Sequence, residues 1–323
     1  MSADHTDEAR RDHARGLSRR RMLGMGAAAV AGGALASSRL FAATSGPIND
    51  AATATQHAVR LTPPKPTGGF DHRALYVALY GHPGSGVLGC LGEQSVDASV
   101  QRAMAVAASY IPFGRPVVPT FEIIATVASS SAGADGDYSN EFPPSKFTPW
   151  IDAAAANGMH VLLDLQSGRA TFTSQAREIA GLLSSPHVSL ALDPEWRVGP
   201  TQQPGGGRIG TVDGAEVNDT IAFLDDLIVR SNLPPKMLVV HQFTPSMVTN
   251  KGAIRGTANV QVVFQMDGFG SLNVKHGSWN RMVADLPAES MTGWKNFYDE
   301  DSPTPTAAQS LAVAPTPVYV SYQ

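Results

Sequence analysis

The stretch Ala191-Leu192-Asp193-Pro194-Glu195 places two carboxyl groups two residues apart at the end of an apolar run. If the run is a β-strand, its side chains alternate, and Ala191, Asp193 and Glu195 share one face. The carboxyls of Asp193 and Glu195 then lie roughly 7 Å apart, the two-residue repeat of a strand. Neighbouring carboxylates in a partly dry site cannot both ionise cheaply, so one of them is expected to keep its proton. A proton-holding carboxyl beside an ionised one is the equipment of glycosidic cleavage. Pro194 lacks an N–H, which suits the end of a strand, and Trp196 offers an apolar wall or a stacking surface for a sugar ring. The plainer alternative is that Asp193 caps a loop and Glu195 pairs with Arg197 or Arg169.

Other polar and aromatic residues collect at the ends of apolar runs. These include Tyr80 and His82 after the first run, Asp164 and Gln166 at the end of the third, and His241 at the end of the fifth. Gln265 and Asp267 close the sixth, and Trp294 and Tyr298 lie in the seventh. With Trp196, these ten residues are the expected substrate-binding set around the catalytic pair Glu195 and Asp193. A metal-dependent hydrolase using His82, Asp164, Asp193, Glu195, His241 and Asp267 is a second possibility. No His-x-His or His-Glu-x-x-His pair supports it, and no metal is expected. The acidic loop Ala132–Tyr138 lacks the spacing of a calcium hand. A third possibility is a non-catalytic glycan binder using Trp196, Trp294 and Tyr298.

The elements that must position these residues alternate along the chain. Strands are predicted at Arg73–Tyr80, Val117–Val127, His160–Gln166, Val188–Asp193, Met237–Gln242, Val260–Gln265, Trp294–Tyr298 and Pro317–Tyr322. Helices are predicted at Val96–Tyr110, Pro149–Ala156, Ser174–Leu183 and Ala215–Ser231, with a short one at Ala307–Val313 and little support for one between the sixth and seventh strands. In Ala215–Ser231, Ile221, Phe223, Leu224, Leu227 and Ile228 recur at helical spacing. Nearly continuous apolar strands alternating with helices imply a parallel sheet covered on both faces. Eight of them in about 250 residues favour a single-domain α/β fold of the (β/α)8 (TIM) barrel type, spanning 71–323. No Gly-x-Gly-x-x-Gly turn follows the first strand, so a dinucleotide is not expected, nor any other cofactor. In such barrels the chemistry sits at the carboxyl ends of the strands. The sequence stops directly after the eighth strand, and the segment before Asp71 is expected to stand in for the last helix. The loop 197–214, with Gly205-Gly206-Gly207, either closes over a ligand or is a surface excursion.

The Asp-x-Glu at the end of the fourth strand resembles the acidic motif of glycoside hydrolase family 18 chitinases and of family 25 lysozymes. Gln166-Ser167-Gly168 and Gln265-Met266-Asp267 are loosely similar to the third- and sixth-strand motifs of family 18. The resemblance implies Glu195 as proton donor and Asp193 as its orienting partner. Val188 and Ala191 stand where the longer family 18 motif has aspartates.

The amino terminus reads as an export signal. A polar, charged stretch leads into Ser18-Arg19-Arg20-Arg21-Met22-Leu23, then a Gly- and Ala-rich apolar run to about Ala36 and a small-residue site near Ala42-Ala43. Paired arginines before a mild apolar run resemble a twin-arginine signal, which implies the twin-arginine translocase as a partner and an extracytoplasmic destination. The run is shorter than the roughly 20 residues that span a bilayer, so no stable membrane anchor is expected. Residues 1–43 form this signal and 44–70, rich in Pro, Thr and Ala, a linker. Residues 1–43 hold seven of the 24 basic and four of the 28 acidic residues, so the remainder is acidic. That argues against nucleic acid as a partner and leaves a polysaccharide or oligosaccharide as the expected one. Cys90, the single cysteine, lies among apolar residues and is expected to be buried and inert.

Overall fold

A computed structural model describes residues 69–323. The signal, and all but the last two residues of the linker, lie outside the described residues. Eight parallel strands close on themselves: β1 Leu75–Gly81, β2 Val117–Ala128, β3 His160–Leu165, β4 Val188–Leu192, β5 Lys236–Gln242, β6 Val260–Met266, β7 Met291–Asn296 and β8 Tyr319–Tyr322. Each pairs with its sequence neighbours, and β8 returns to β1 through Tyr76 opposite Tyr319 and Leu79 opposite Tyr322. The chain is therefore a TIM-like (β/α)8 barrel in a single domain.

Seven helices lie between the strands: α1 Val96–Ala108, α2 Thr148–Ala156, α3 Phe172–Glu178, α4 Ala180–Leu183, α5 Gly214–Ser231, α6 Leu272–Val283 and α7 Ala307–Leu311. All eight predicted strands are present. α6 is the element the sequence pattern undersells, because Lys275 is buried on its inner face. The ammonium of Lys275 donates to Asp301 Oδ2 at 2.9 Å and to two backbone carbonyls, so a charged residue occupies a core position. The predicted helix at Ser174–Leu183 is two short ones, broken at Ile179.

Strand alternation sorts the side chains into two populations. Leu75, Val77, Leu79, Phe121, Val161, Leu163, Leu190, Val240 and Phe264 point outward and pack under the helices as one cluster. Tyr76, Ala78, Leu162, Ala191, Met237, Val239, Val263 and Tyr319 point inward as a second cluster. Burying each Val or Leu contributes about 1.5–3 kcal/mol, so the outer layer supplies most of the cohesion. Towards the amino ends of the strands the inner population is mostly apolar, with Thr120 and the hydrogen-bonded pair His160 and Ser189 among it. Near their carboxyl ends it becomes ionisable.

Gly69 and Phe70 do not stand in for a last helix. Phe70 N–H donates to the Pro235 carbonyl at 2.8 Å, just ahead of β5, and the Phe70 ring stacks on Tyr76 at 5.3 Å. Cys90 is buried, and burial pushes its thiol up to about 11. Its Sγ–H donates to the Tyr322 carbonyl at 3.2 Å, a packing role for an unreactive thiol.

Candidate active site

Six barrel strands or their ends send an ionisable side chain into the upper interior: Tyr80 from β1, Glu122 from β2, Asp164 from β3, Asp193 just past β4, His241 from β5 and Lys295 from β7. Asp267 joins them just past β6, and Tyr319 of β8 supplies a phenol from below. His241 is the hub. Its Nδ1 lies 2.8 Å from Asp267 Oδ2 and its Nε2 2.8 Å from Glu122 Oε1, with Asp164 Oδ1 at 3.8 Å. Tyr319 donates to Glu122 Oε2 at 2.7 Å, and Tyr80 donates to Asp164 Oδ2 at 3.0 Å. The Lys295 ammonium reaches Asp267 Oδ2 at 3.1 Å and sits 3.7 Å from the centre of the Tyr80 ring. Four carboxyl groups thus face two cationic side chains in a buried space.

The electrostatics follow from that imbalance. Burial would push the His241 imidazole down, but Asp267, Glu122 and Asp164 together hold it well above its ordinary value. Burial likewise opposes ionisation of Asp267, yet Lys295 and His241 keep its carboxyl far below the usual range. Asp164 is pushed up to about 6, chiefly by burial, with Glu122 adding to the rise and His241 working against it. Asp193 is raised well above the carboxylate range by burial, then by the charges of Asp164 and Glu195. The surplus of buried carboxyl groups over cations thus favours the protonated form at Asp193.

Asp193 and Glu195 do not share a strand face. β4 stops at Leu192, because Pro194 has no N–H to continue the ladder, and Pro194–Trp196 forms a single 3-10 turn. Asp193 caps that turn, its Oδ1 accepting the Glu195 N–H at 3.2 Å. The turn is pinned by the loop that follows it: Gly210 N–H donates to Glu195 O at 2.6 Å and Thr211 N–H to Arg197 O at 2.8 Å. A Cβ on Gly210 would lie within 2.6 Å of three carbonyl oxygens of this turn, so only glycine permits that approach. The loop 197–214 is thus a clamp on the acidic turn. Arg197 pairs with Glu216 at 2.9 Å, and Arg169 Nε donates to the Gln202 carbonyl at 2.7 Å.

The barrel brings together Tyr80, Asp164, Asp193, His241, Gln265 and Asp267 of the expected set. Gln265 lies in the interior, its Nε2 donating to Ser321 Oγ at 2.6 Å. The remaining expected residues lie elsewhere. His82 is packed against Phe142 with Nδ1 2.8 Å from the Ile124 carbonyl. Gln166 accepts the Ala128 N–H and so ties β3 to the end of β2. Trp196 and Trp294 are buried, Trp294 on the outer face of β7 against Trp279. Tyr298 is 38% exposed, but its ring stacks on Tyr322 and carries the Arg102 guanidinium at 5.1 Å. None of these three rings presents a free face for a sugar, so the expected aromatic platform is not formed.

Glu122, Lys295 and Tyr319 complete the cluster without having been assigned to it from the sequence. The signal for the first two was a lone charge inside an otherwise apolar strand. A charged residue at an inward position of a barrel is affordable only when paired.

His241 has both ring nitrogens committed to carboxylates, which leaves no lone pair for a metal. Among the described residues, the set of three acidic or histidine ligands whose donor atoms lie within 4.8 Å of one another is Asp135, Asp137 and Glu141, on the loop after β2. A groove of about 440 Å³ bordered by Thr173, Arg177, Asp219 and Phe223 lies between α3 and α5, and no member of the barrel cluster lines it. No protein-family model matches this chain, and no curated protein matches it either.

Proposed function

We propose that the protein is a glycoside hydrolase whose general acid is Asp193, in a barrel mouth where Asp164 is the second, ionised carboxyl. The observation that carries this reading is a buried carboxyl group at the carboxyl end of a barrel strand, held towards its protonated form by burial and by the neighbouring Asp164. Protonating a leaving sugar oxygen is the task such a group suits, and a second carboxyl of lower proton affinity is its usual complement. Asp193 takes the donor role that the resemblance to family 18 chitinases and family 25 lysozymes implies for Glu195. Glu195, whose charge helps hold the proton on Asp193, becomes the supporting group. His241, Glu122 and Lys295 fix the position and charge of Asp164 and Asp267 and do not themselves touch substrate. A metal hydrolase is disfavoured by the commitment of His241. A glycan binder relying on Trp196, Trp294 and Tyr298 is disfavoured by their burial and stacking.

The pH–rate profile tests the assignment. On a glycan that the protein cleaves, found by screening soluble polysaccharides, kcat/KM is expected to rise through about pH 6 as Asp164 ionises. It should fall again at higher pH as Asp193, whose carboxyl burial holds well above its ordinary value, loses its proton. The two limbs belong to the coupled pair. Glu195→Gln should shift the alkaline limb downward, since it removes a charge that holds the proton, with a loss of rate smaller than that of Asp193→Asn. Total loss in Glu195→Gln with a mild effect of Asp193→Asn would return the donor role to Glu195. A protein that cleaves no glycan in the screen at any pH would end the reading.

We also assign the substrate to an extracytoplasmic space, from the paired arginines ahead of the Ala-rich run. Replacing Arg19 and Arg20 together by Lys should retain the precursor in the cytoplasm, read by fractionation, because the paired guanidinium groups are what the translocase recognises. Normal export of the variant would mean that another route is used.

A further inference from the structure

The hydrogen-bonding inventory of the mouth is lopsided. The donors of the cluster are largely spent: Tyr80 on Asp164, Tyr319 on Glu122, both His241 nitrogens on Glu122 and Asp267, Lys295 on Asp267, and the Gln265 amide on Ser321. The acceptors are not. Asp164 Oδ1, Asp267 Oδ1 and Gln265 Oε1 are buried without a partner. Asp164 is fully buried and Asp267 is 7% exposed, so these oxygens lack the protein donors that buried carboxylates normally find. Leaving a buried acceptor unpaired is unfavourable, and a ligand carrying donors would remove that cost.

A sugar hydroxyl answers this only in part. It brings one donor and no charge, and its two lone pairs add acceptors where acceptors are already in surplus. An ammonium brings three N–H donors, no acceptor, and a positive charge. It would also offset the excess of carboxyl groups over cations around His241. Asp193 and Asp267 are the most exposed members of the cluster, at 6% and 7%.

We propose that this mouth recognises the ammonium of an amino sugar, held by Asp164 and Asp267 beside Gln265, so that the substrate is a glycan with free, unacetylated amino groups. This rests on the glycosidase reading only for which bond is cut; recognition of the amine follows from the acceptors alone. An acetylated nitrogen offers a single N–H, carries no charge, and adds a carbonyl acceptor where acceptors are already in surplus. A uronic acid would add a further carboxylate to a site already rich in them.

The test is binding to the full chain, freed of its signal, of D-glucosamine and D-galactosamine against D-glucose, D-galactose and the two N-acetyl sugars, by calorimetry at pH 7. The amino sugars should bind at least about tenfold more tightly than their neutral counterparts, and the N-acetyl sugars no more tightly than the neutral ones. Asp267→Asn and Gln265→Leu should each weaken the amine preference, read beside a melting curve that shows the variants folded. Because Asp267 also anchors His241 and Lys295, Gln265→Leu keeps the test alive if Asp267→Asn does not fold. Equal affinity across the six sugars, or no binding of either amine up to tens of millimolar, overturns the inference. Hydrolysis of de-N-acetylated against N-acetylated oligosaccharides of equal length separates it from the enzymatic reading. Amine preference with no cleavage supports the recognition and removes the enzyme. Cleavage of N-acetylated or neutral chains without amine preference leaves the enzyme and overturns the recognition.

Discussion

Asp193→Asn is expected to lower turnover on a cleaved glycan by at least about 10²-fold, the usual contribution of a general acid, while raising thermal stability at neutral pH. The two effects share one cause. A carboxyl whose folded pKa lies above its unfolded value near 3.8 must take up a proton on folding at any pH between the two. That costs stability, and the cost is absent below the unfolded value and grows as pH rises toward the folded one. Asparagine has nothing to titrate and still accepts the Glu195 N–H through its amide oxygen. Calorimetric melting at pH 3.5 and pH 7 should therefore show a variant equal to the wild type in acid and more stable at neutrality. A variant less stable at both pH values would mean that Asp193 is ionised and paired in the folded protein.

Replacing His241 by Leu carries the largest expected loss of stability. It strips Glu122 and Asp267 of a cationic partner in a fully buried setting, and breaking such a pair costs about 3–5 kcal/mol. At roughly 2–4 °C per kcal/mol for a domain of this size, Tm should drop by on the order of 10 °C. The pH dependence carries the sign. His241 has a raised pKa, so its contribution is complete below about 6.5 and fades as pH climbs through the folded value. Asp267 has a depressed pKa, so its contribution is present above about 3.8 and is lost as pH falls toward the folded value. The gap between wild type and variant should be widest between about pH 4 and 6.5 and narrow on either side. A constant gap across pH 3–9 would show that the loss comes from packing alone.

The fold was legible because the outward positions of the strands are so uniformly apolar. Val161, Leu163 and Leu165 or Leu238 and Val240 announce buried strands whatever their inward neighbours are. The site was legible where a polar residue ended a run, as with Asp164, His241 and Asp267. It was hidden where the register of a strand was needed. Thr292 and Gly293 gave β7 a weak start, so the strand was expected to begin at Trp294. With the true start at Met291, Trp294 faces the helices and Lys295 faces the cluster. The acidic pair was misplaced for a related reason. Alternation holds only while the ladder continues, and Pro194 ends it between the two carboxyl residues. The aromatic residues at the strand ends resembled a sugar platform by type, yet pairwise packing, such as Tyr298 on Tyr322, claims their faces.

A proton that Asp193 retains above the ordinary carboxylate range underlies the proposed catalysis. Carboxyl ¹³C resonances of aspartate-labelled protein, with the Asp193 signal identified by its absence in Asp193→Asn, report that proton directly. The signal should titrate with a midpoint well above the ordinary carboxylate value near 4. A signal that titrates with a midpoint near 4 would contradict the account.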